Sequence, residues 1–256
     1  MDLELNGHRV VVFGAANGIG RAIAGGFANE GAKVFGCDLA SPEAPNTDID
    51  HFVGDATSLD DVREFAARFD AVDHVIYSIG VGSGKFGFPF WNLEPSDWSR
   101  VVEVNLIGAV NAAHALAPKL IANGSGSMLF LVSVAGQIGS QTDPPYSAAK
   151  AGLINFMQCA AKDLAPQNIR VNALSPGMVK TDLNRSVWAA AQAELPEAER
   201  ISYEDWGREK TGKVAPLARW QEPEELAAMA TYLASRHAVN ITGQTINIDG
   251  GQVMHA

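Results

Sequence analysis

Tyr146 and Lys150 are the residues whose types and spacing most directly indicate chemistry. They stand four positions apart in a segment, Tyr146 to about Ala165, that follows two prolines and has apolar residues at helical spacing. On a helix this spacing places both side chains on one face. A phenol has an ordinary pKa of about 10, and an ammonium about 4 Å away stabilises the phenolate by on the order of 4 kcal/mol. The pair predicts a proton-transfer site, although the same spacing also occurs on helices without a catalytic role.

Two more polar residues are candidates for the same region. Ser133 follows the apolar run 128–132, which predicts a buried strand with Ser133 at its carboxyl end. Ligands of open α/β sheets bind at that edge. Asn105 lies inside a long helical pattern, about 97–120, where an amide on a buried face is either hydrogen-bonded structurally or holds a water.

A glycine-rich turn near the N-terminus predicts a phosphate-binding element. Residues 9–13 have the pattern of a buried strand, and Gly14, Gly18 and Gly20 follow before a helical pattern that continues to about Glu30. Glycine permits a tight turn in which the backbone approaches a pyrophosphate, and the helix N-terminus offers free N–H groups to the anion. Structural glycine-rich turns are also common, so a second feature is needed.

Asp38 supplies that second feature. It ends the next predicted strand, 32–37, where a carboxylate accepts hydrogen bonds from an adenosine ribose and repels a 2′-phosphate. Because no Lys or Arg stands at the neighbouring positions of either turn, Asp38 favours NAD over NADP. Asp55 follows a short third strand, about 51–54, and is placed to reach the adenine amino group. Turn or helix-cap roles are the alternative for both aspartates.

Composition limits the classes of function. The chain has 256 residues, 19 basic and 29 acidic side chains, a net charge of −10 and a pI near 5.0, which disfavours nucleic acid as a partner. It has no basic and apolar leader pattern and no apolar run near membrane-spanning length, so we expect a soluble cytoplasmic protein without membrane association. The scattered histidines predict no metal site, and Cys37 and Cys159 are expected to be buried free thiols.

Predicted strands alternate with helices along the chain, which indicates an α/β fold with a parallel sheet in a single domain. Further strands are predicted at about 72–77, 169–173 and 244–248. Further helices are predicted at about 58–69 and 222–234. A lid over a substrate pocket is expected at about 182–213. The loop after Gly80 either forms one wall of that pocket or packs as a hydrophobic cluster. Its aromatic residues are Phe86, Phe88, Phe90 and Trp91.

These signals occur together in the order of one family. The chain resembles the short-chain dehydrogenases/reductases over essentially its full length. The matching motifs are Gly14-x-x-x-Gly18-Ile19-Gly20, Asp38, Asp55, Asn105, Ser133, Tyr146-x-x-x-Lys150, Pro176-Gly177 with Thr181, and Asp249-Gly250-Gly251. The resemblance implies a Rossmann-type, doubly wound sheet of about seven parallel strands flanked by helices. It also implies a nicotinamide cofactor and, commonly, a homotetramer.

The resemblance assigns roles to individual residues. In the implied tetrad, Ser133 holds the substrate oxygen and Tyr146 exchanges its proton. Lys150 bonds the nicotinamide ribose and lowers the pKa of Tyr146, and Asn105 fixes a water that relays the proton. The implied cofactor contacts are Gly14, Asn17, Gly18, Ile19, Gly20, Asp38, Asp55, Gly80, Tyr146, Lys150, Pro176, Gly177, Val179 and Thr181.

Two positions depart from the family pattern. Phe13 stands where Thr usually precedes the first glycine, and Tyr77-Ser78-Ile79-Gly80 replaces Asn-Asn-Ala-Gly. The second change removes an amide that normally braces the central strand and the cofactor. We therefore expect a local rearrangement and an altered cofactor affinity there.

The resulting hypothesis is an NAD-dependent dehydrogenase of carbohydrate metabolism. It would oxidise a secondary alcohol or hemiacetal of a small polar substrate, such as a sugar, polyol or hydroxy acid. The first alternative is a 3-oxoacyl thioester reductase; such members usually prefer NADPH, so Asp38 counts against it. The second is a non-catalytic cofactor-binding scaffold, against which the intact tetrad argues. Specificity is expected from the loop after Gly80, the surroundings of Gln137 and the lid, whose candidates to meet an anion are Arg185, Arg208, Lys210 and Lys213.

Overall fold

A parallel β-sheet forms the centre of the molecule. The computed structural model describes residues 1–43, 46–85, 90–139, 143–193 and 195–254. The strands in these residues are β1 (Arg9–Phe13), β2 (Lys33–Asp38), β3 (Ile49–Val53), β4 (His74–Tyr77), β5 (Gly126–Leu131), β6 (Ile169–Pro176) and β7 (Thr245–Ile248). They pair in the order β3-β2-β1-β4-β5-β6-β7. The predicted doubly wound, seven-stranded sheet is confirmed.

Helices cover both faces of this sheet. They are α1 (Gly18–Asn29), α2 (Leu59–Ala67), α3 (Ser96–Val102), α4 (Gly108–Asn123), α5 (Pro144–Leu164), α6 (Asp182–Ala193), α7 (Tyr203–Val214) and α8 (Pro223–Ala234). Local signals explain where several begin: Ser58 accepts a hydrogen bond from the Asp61 N–H at the start of α2, and Asp143 caps α5 ahead of two prolines. The lid region thus consists largely of two helices, which the sequence pattern did not resolve.

The two faces of β1 explain its unbroken apolar sequence. Val10 and Val12 pack in the core beneath α1 and α8, whereas Val11 and Phe13 pack in the core beneath α2, α4 and α5. A parallel strand buried on both sides needs apolar residues at every position. Phe13, the first departure from the family pattern, makes ring contacts with Phe65 at 5.6 Å and Tyr77 at 6.0 Å. Its aromatic ring is therefore part of the core.

The strand order determines where a ligand can enter. From β1 the chain moves outward through β2 to β3, and then returns to place β4 on the other side of β1. The connections leave the carboxyl ends of β1 and β4 in opposite directions, so a crevice opens between them. The glycine-rich turn, which follows β1, and the loop that follows β4 both lie at this crevice.

A π-helical segment, Glu103–Ile107, joins α3 to α4. The prediction of one regular helix over about 97–120 was wrong in this respect. The Gly108 N–H donates to the Glu103 carbonyl, five residues back, instead of to the carbonyl of Val104. Val104 accepts a hydrogen bond from the Tyr77 hydroxyl at 2.6 Å instead. Tyr77, part of the second departure from the family pattern, thereby supports the irregular turn.

Helices α3 and α4 with the π segment form one apolar helical stretch, Ser96–Asn123, of 28 residues. Among the described residues it is the one helix that is long and apolar enough to cross a membrane by length and composition. A core helix of a soluble protein passes the same test, and Leu116 and Leu120 of this stretch are buried in the core. The stretch is therefore a weak indication of a membrane span.

Burial tests the expectation that both cysteines lie in the core. Cys37 is buried, and burial together with nearby carboxylates raises the pKa of its thiol to about 12. Cys159 is exposed, so the prediction that it is buried was wrong; it lies on the outward side of α5.

The aromatic residues of the loop after Gly80 are described only in part. Phe90 and Trp91 contact each other but are 65% and 70% exposed. Phe86 and Phe88 lie outside the described residues.

We expect Tyr77→Phe to lower the free energy of unfolding by about 1–3 kcal/mol, because the partly buried Val104 carbonyl loses its hydrogen-bond donor. Urea unfolding followed by circular dichroism measures the change. Tyr232→Phe, on the half-buried surface of α8, is the matched control and should change stability by less than about 0.5 kcal/mol. Equal stability of Tyr77→Phe and wild type would contradict the bracing role.

Candidate active site

Ser133 and Tyr146 meet at the carboxyl edge of the sheet. Ser133 follows β5 and begins a short 3-10 turn, Val134–Gly136, where its Oγ accepts a hydrogen bond from the Ala135 N–H at 3.1 Å. Tyr146 lies in the first turn of α5, and its phenol is near enough to the Ser133 side chain for an interaction that lowers the pKa of the phenol. Both residues line a cavity of about 360 Å³. A substrate oxygen in this cavity can reach both hydroxyl groups.

The Lys150 ammonium is buried directly behind this pair. Its side chain lies on α5 one turn after Tyr146, is 2% exposed, and has its Nζ 5.5 Å from the centroid of the Tyr146 ring. Nζ donates to the carbonyl of Leu131 at 2.8 Å and to that of Ile79 at 3.3 Å. A buried ammonium has three N–H donors, so one remains for a further acceptor.

Burial dominates the electrostatics of Tyr146 and Lys150. It raises the pKa of Tyr146 to about 12, an effect opposed by the hydrogen bond with Ser133 and increased by the negative charge of Asp143. Burial also lowers the pKa of Lys150 to about 7. Desolvation disfavours both the phenolate and the ammonium, and at Tyr146 it outweighs every effect that lowers the pKa.

Asn105 sits in the π segment and is completely buried. Its Nδ2 donates to the carbonyls of Val101 and Val81, both at 2.8 Å, and its Oδ1 accepts from the Val81 N–H at 3.3 Å. These bonds correspond to the structural alternative for this amide. They also hold the loop after β4 close to Lys150. A side chain at Gly80 would come within 3.3 Å of Asn105 Oδ1 and 3.4 Å of Lys150 Nζ.

Asp143 is a site residue that the sequence analysis missed. It precedes α5 and lines the cavity beside Tyr146. Its carboxylate accepts hydrogen bonds from the Ser83 N–H at 2.7 Å and the Tyr146 N–H at 3.4 Å. The residue joins the loop after β4 to the start of α5. An Asp directly before Pro-Pro at a predicted helix start is the signal that could have identified it.

Gly136 is the second residue that the sequence analysis missed. A β-carbon there would lie 2.7 Å from the carbonyl carbon of Lys150. The turn that carries Ser133 can pack against α5 because this side chain is absent. The Ser147 hydroxyl fastens the same contact by donating to the Ala135 carbonyl. Ser133 is thereby held at a fixed distance from the helix that carries Tyr146.

The glycine-rich turn has the form expected of a phosphate cradle. Gly14 and Gly18 have positive φ angles of 84° and 54°. A β-carbon at Gly20 would lie 2.0 Å from the Gly14 carbonyl oxygen, so no other residue fits there. Asn17 is the extended N-cap of α1, and its side chain makes no capping hydrogen bond. The first N–H groups of α1 therefore face the crevice without a side-chain acceptor from their own cap.

Asp38 and Asp55 follow adjacent strands at the same edge. The Asp38 carboxylate accepts hydrogen bonds from the Ala16 N–H at 3.0 Å and the Leu39 N–H at 2.8 Å, which fixes it against the glycine-rich turn. Asp55 Oδ1 accepts from both the N–H and the hydroxyl of Thr57 at 2.8 Å. Asp55 thus has the turn role that was its alternative.

The end of β6 and the C-terminal segment complete this edge. Asp249 is buried and accepts hydrogen bonds from the Gly251 and Val253 N–H groups, both at 2.8 Å. This turn packs against Gly177, whose added β-carbon would lie 3.1 Å from Asp249. Gln137, expected near the substrate, instead bonds Ser175 and Asn247. The cavity lining includes Ile19, Pro176, Gly177, Val179 and Thr181.

The two helices α6 and α7 form part of the cavity wall. The side chains that they contribute are Leu183, Asn184, Val187, Lys210 and Val214. A second cavity of about 320 Å³ shares Gly82, Asp143, Leu183 and Val187 with the first. Apolar and charged groups are therefore combined around the Ser133 and Tyr146 hydroxyls.

These residues fit a nicotinamide dinucleotide. The glycine-rich turn excludes side chains where a pyrophosphate needs backbone contact, and Asp38 lies beside it. Lys150 retains an N–H donor for a ribose hydroxyl, and Thr181 and Val179 line the cavity that contains Tyr146. The described residues include no cluster of three or more His, Cys, Asp or Glu side chains that could hold a metal ion.

Comparisons with known proteins agree with this geometry. The family profile described as enoyl-(acyl carrier protein) reductase matches residues 14–253. The 3-oxoacyl-[acyl-carrier-protein] reductase FabG of Thermotoga maritima is 31% identical, over 98% of this chain and 100% of its own. An uncharacterized short-chain type dehydrogenase/reductase of Sinorhizobium fredii is 32% identical, over 98% of this chain and 99% of its own.

Two solved structures are also similar. Thermoplasma acidophilum aldohexose dehydrogenase has a TM-score of 0.87 and 29% identity, and the match covers 100% of this chain and 98% of that one. L-sorbose reductase from Gluconobacter frateurii, complexed with NADPH and L-sorbose, has a TM-score of 0.86 and 25% identity, with 100% of both chains covered. From the matched profile, the relatives and the fold, the chain belongs to the short-chain dehydrogenase/reductase family of nicotinamide-dependent oxidoreductases.

Proposed function

We propose that this enzyme interconverts a secondary alcohol or hemiacetal of a small polar substrate and its carbonyl form, with NAD as the hydride acceptor. Asp38 is the observation that carries the choice of NAD. Its carboxylate is hydrogen-bonded to the glycine-rich turn at the end of β2, and a negative charge at that place repels the 2′-phosphate of NADP. Asp55 Oδ1 is engaged by Thr57, so the other carboxylate oxygen, Oδ2, would be the one that contacts the adenine.

Each remaining role in the reaction is assigned to residues of the chain. When bound, the nicotinamide supplies the acceptor for the hydride. Ser133 holds the substrate oxygen, and Tyr146 exchanges a proton with that oxygen. Lys150 holds the nicotinamide ribose with its third N–H. Asn105 keeps the loop after β4 near Lys150 through both Nδ2 hydrogens, so the second lone pair of its Oδ1 is what remains to accept from a water that relays the proton. Helices α6 and α7 act as the lid that excludes bulk water.

The pKa of Tyr146, raised to about 12, bears on the direction of the reaction. A protonated phenol is ready to donate a proton to a carbonyl oxygen, whereas alcohol oxidation needs the phenolate. Reduction is therefore favoured at lower pH and oxidation at higher pH. The direction in the cell then follows from the ratio of oxidised to reduced cofactor, and an NAD pool that is mainly oxidised favours alcohol oxidation.

A second candidate is the reduction of a 3-oxoacyl thioester. It is favoured by the relatives named 3-oxoacyl-[acyl-carrier-protein] reductase, from Thermotoga maritima and from a Synechocystis strain. The structural likeness to a sugar dehydrogenase favours the first candidate instead. Asp38 also counts against an NADPH-dependent reductase. A non-catalytic scaffold is disfavoured because Ser133 and Tyr146 line an open cavity.

The same proposal includes the location, the assembly and the partners of the enzyme. A cytoplasmic homotetramer with a role in carbohydrate metabolism is supported by the likeness to the family rather than by any contact within this chain. The partner is a small polar alcohol, with neither nucleic acid nor a membrane required. The net charge of −10 supports the exclusion of nucleic acid.

The choice of NAD is tested by following reduced-cofactor absorbance with NAD or NADP across sugars, polyols, hydroxy acids and 3-hydroxyacyl thioesters. We expect kcat/KM to favour NAD by at least about tenfold, and Asp38→Asn to lower this preference by about tenfold or more, because the repelling charge is lost. Asp55→Asn is the matched control: adenine is common to both cofactors, so their ratio should stay constant. A wild-type preference for NADP would overturn the choice of NAD.

The proton-transfer role is tested by Tyr146→Phe. We expect kcat to fall by at least about 100-fold, since the hydroxyl that exchanges the proton is lost. NADH affinity, measured by fluorescence titration, should stay unchanged. Tyr232→Phe is the control for a tyrosine outside the cavity. Wild-type turnover in a folded Tyr146→Phe variant that binds NADH would rule out this role.

The charge of Asp143 gives a prediction for the pH profile. Its carboxylate raises the pKa of Tyr146, so Asp143→Asn should lower that pKa and move the rising limb of alcohol oxidation to lower pH. The measurement is kcat/KM for oxidation as a function of pH. Asp205→Asn, an exposed change on α7, should leave the profile in place. A shift of the limb toward higher pH would show that the charge acts in the opposite sense.

A further inference from the structure

Lys210 brings a positive charge into the cavity that contains Ser133 and Tyr146. It lies on α7 and lines this cavity together with Asn184 and Val214. Its Nζ stands 4.7 Å from the centroid of the Trp206 ring. No carboxylate of the described residues lies within ion-pairing distance of that Nζ. The side chain is thus held against an aromatic ring at the wall of the cavity, and its ammonium has no carboxylate partner there.

The other cations of the same region are engaged differently. Arg208 pairs with Asp205 at 2.9 Å, and the Arg185 guanidinium stacks over Tyr203 at 4.4 Å. Lys213 is exposed to solvent on α7. None of these three side chains lines the cavity. Of the four lid cations that the sequence suggested for an anionic group, Lys210 is the one that lines the cavity that also contains Ser133 and Tyr146.

Asp143 is the opposing charge in the same cavity, but its surroundings differ from those of Lys210. Two backbone N–H groups, of Ser83 and Tyr146, donate to its carboxylate at the N-terminus of α5. Helix N-termini carry partial positive charge, so the negative charge of Asp143 is compensated where it stands. Lys210 has no corresponding set of acceptors among the described residues.

The desolvation of Lys210 supports a missing anionic partner. Burial lowers the pKa of its ammonium, with no carboxylate among the causes to oppose this effect. An anion that entered the cavity would restore the lost interaction through a charge-assisted hydrogen bond. The ammonium would then be stabilised in its charged form. A neutral polyol offers only hydroxyl oxygens at the same position.

We propose that Lys210 binds the carboxylate of the substrate, and that the substrate is a hydroxy acid or its oxo acid. The carboxylate lies at Lys210 while the reacting oxygen lies between Ser133 and Tyr146. This inference rests on the proposed function and narrows its substrate class. The anion could instead be a phosphate of the cofactor, and the experiment separates these two sources.

The test is calorimetric titration of the enzyme with NAD bound, using oxo acids that cannot react with the oxidised cofactor. The probes are pairs of an anion and its neutral amide: pyruvate and pyruvamide, acetoacetate and acetoacetamide, levulinate and levulinamide. We expect wild type to bind the anion of at least one pair roughly ten- to a hundredfold more tightly than the amide. Lys210→Gln should remove this preference and leave amide binding unchanged. Lys213→Gln, on the same helix but exposed, should behave as wild type.

Three results would overturn the proposal. The first is the absence of an anion preference in every pair, and the second is the survival of that preference in Lys210→Gln. The third is weaker NADH binding by Lys210→Gln with unchanged anion binding, which would assign the cation to the cofactor phosphates. The titration needs no turnover, so it is independent of the proposed reaction. If the enzyme oxidises neutral alcohols but shows no anion preference, the role of Lys210 is rejected and the proposed reaction stands. If it shows the anion preference but transfers no hydride, the proposed reaction is rejected and anion binding by Lys210 stands.

Discussion

Burial of the Lys150 ammonium is the constraint on which the site depends. A buried charge costs several kcal/mol unless hydrogen bonds replace its water. Here the replacements are the carbonyls of Leu131, at the end of β5, and Ile79, just after β4. Both acceptors exist only because β4 and β5 are neighbours in the sheet and end at the same edge. The position of one ammonium thus links the strand order to the chemistry.

The same burial couples the two titrating groups. Alone, each charged form is disfavoured, which is why the pKa values of Tyr146 and Lys150 move to about 12 and about 7. A phenolate beside an ammonium partly cancels the desolvation of both, because opposite charges attract strongly in a medium of low dielectric constant. A phenolate formed at Tyr146 beside a charged Lys150 would therefore be stabilised by that charge. Ser133 and Asp143 shift the pKa of Tyr146 in opposite directions.

Features with a local signature were predictable from the sequence. The glycine-rich turn, Asp38 and the Tyr146 to Lys150 spacing each depend on residue type and short-range geometry, so the strand and helix pattern located them. The π segment was not predictable, because the apolar pattern of residues 97–120 continues through it and only the backbone hydrogen bonds shift. The Tyr77 hydroxyl that supports it acts across 27 positions of sequence. Long-range contacts of this kind have no periodic signal.

Asp143 and Cys159 show two further limits. A helix cap is visible as Asp before Pro-Pro, but its contact with Ser83 spans 60 positions and depends on the path of the loop after β4. Cys159 was expected in the core because cysteine is usually buried. Which face of α5 points outward depends on how the entire helix packs, and Cys159 lies on the exposed face. For Asp55, by contrast, the sequence already offered the correct short-range alternative. The structure contains that alternative, a turn in which Asp55 bonds Thr57.

The fold alone does not determine substrate preference. Relatives named for acyl-carrier substrates and for sugars match this chain over nearly all of its length, so the shared sheet does not distinguish them. The lid helices have their own support: Trp188 of α6 contacts Tyr203 of α7 at 5.8 Å, and Tyr203 contacts Trp220 at 5.1 Å. An aromatic cluster of this kind holds α7, and with it Lys210, in one place relative to the cavity. A charge held rigidly on the lid discriminates between substrates at little entropic cost, because the cation is ordered before the substrate arrives.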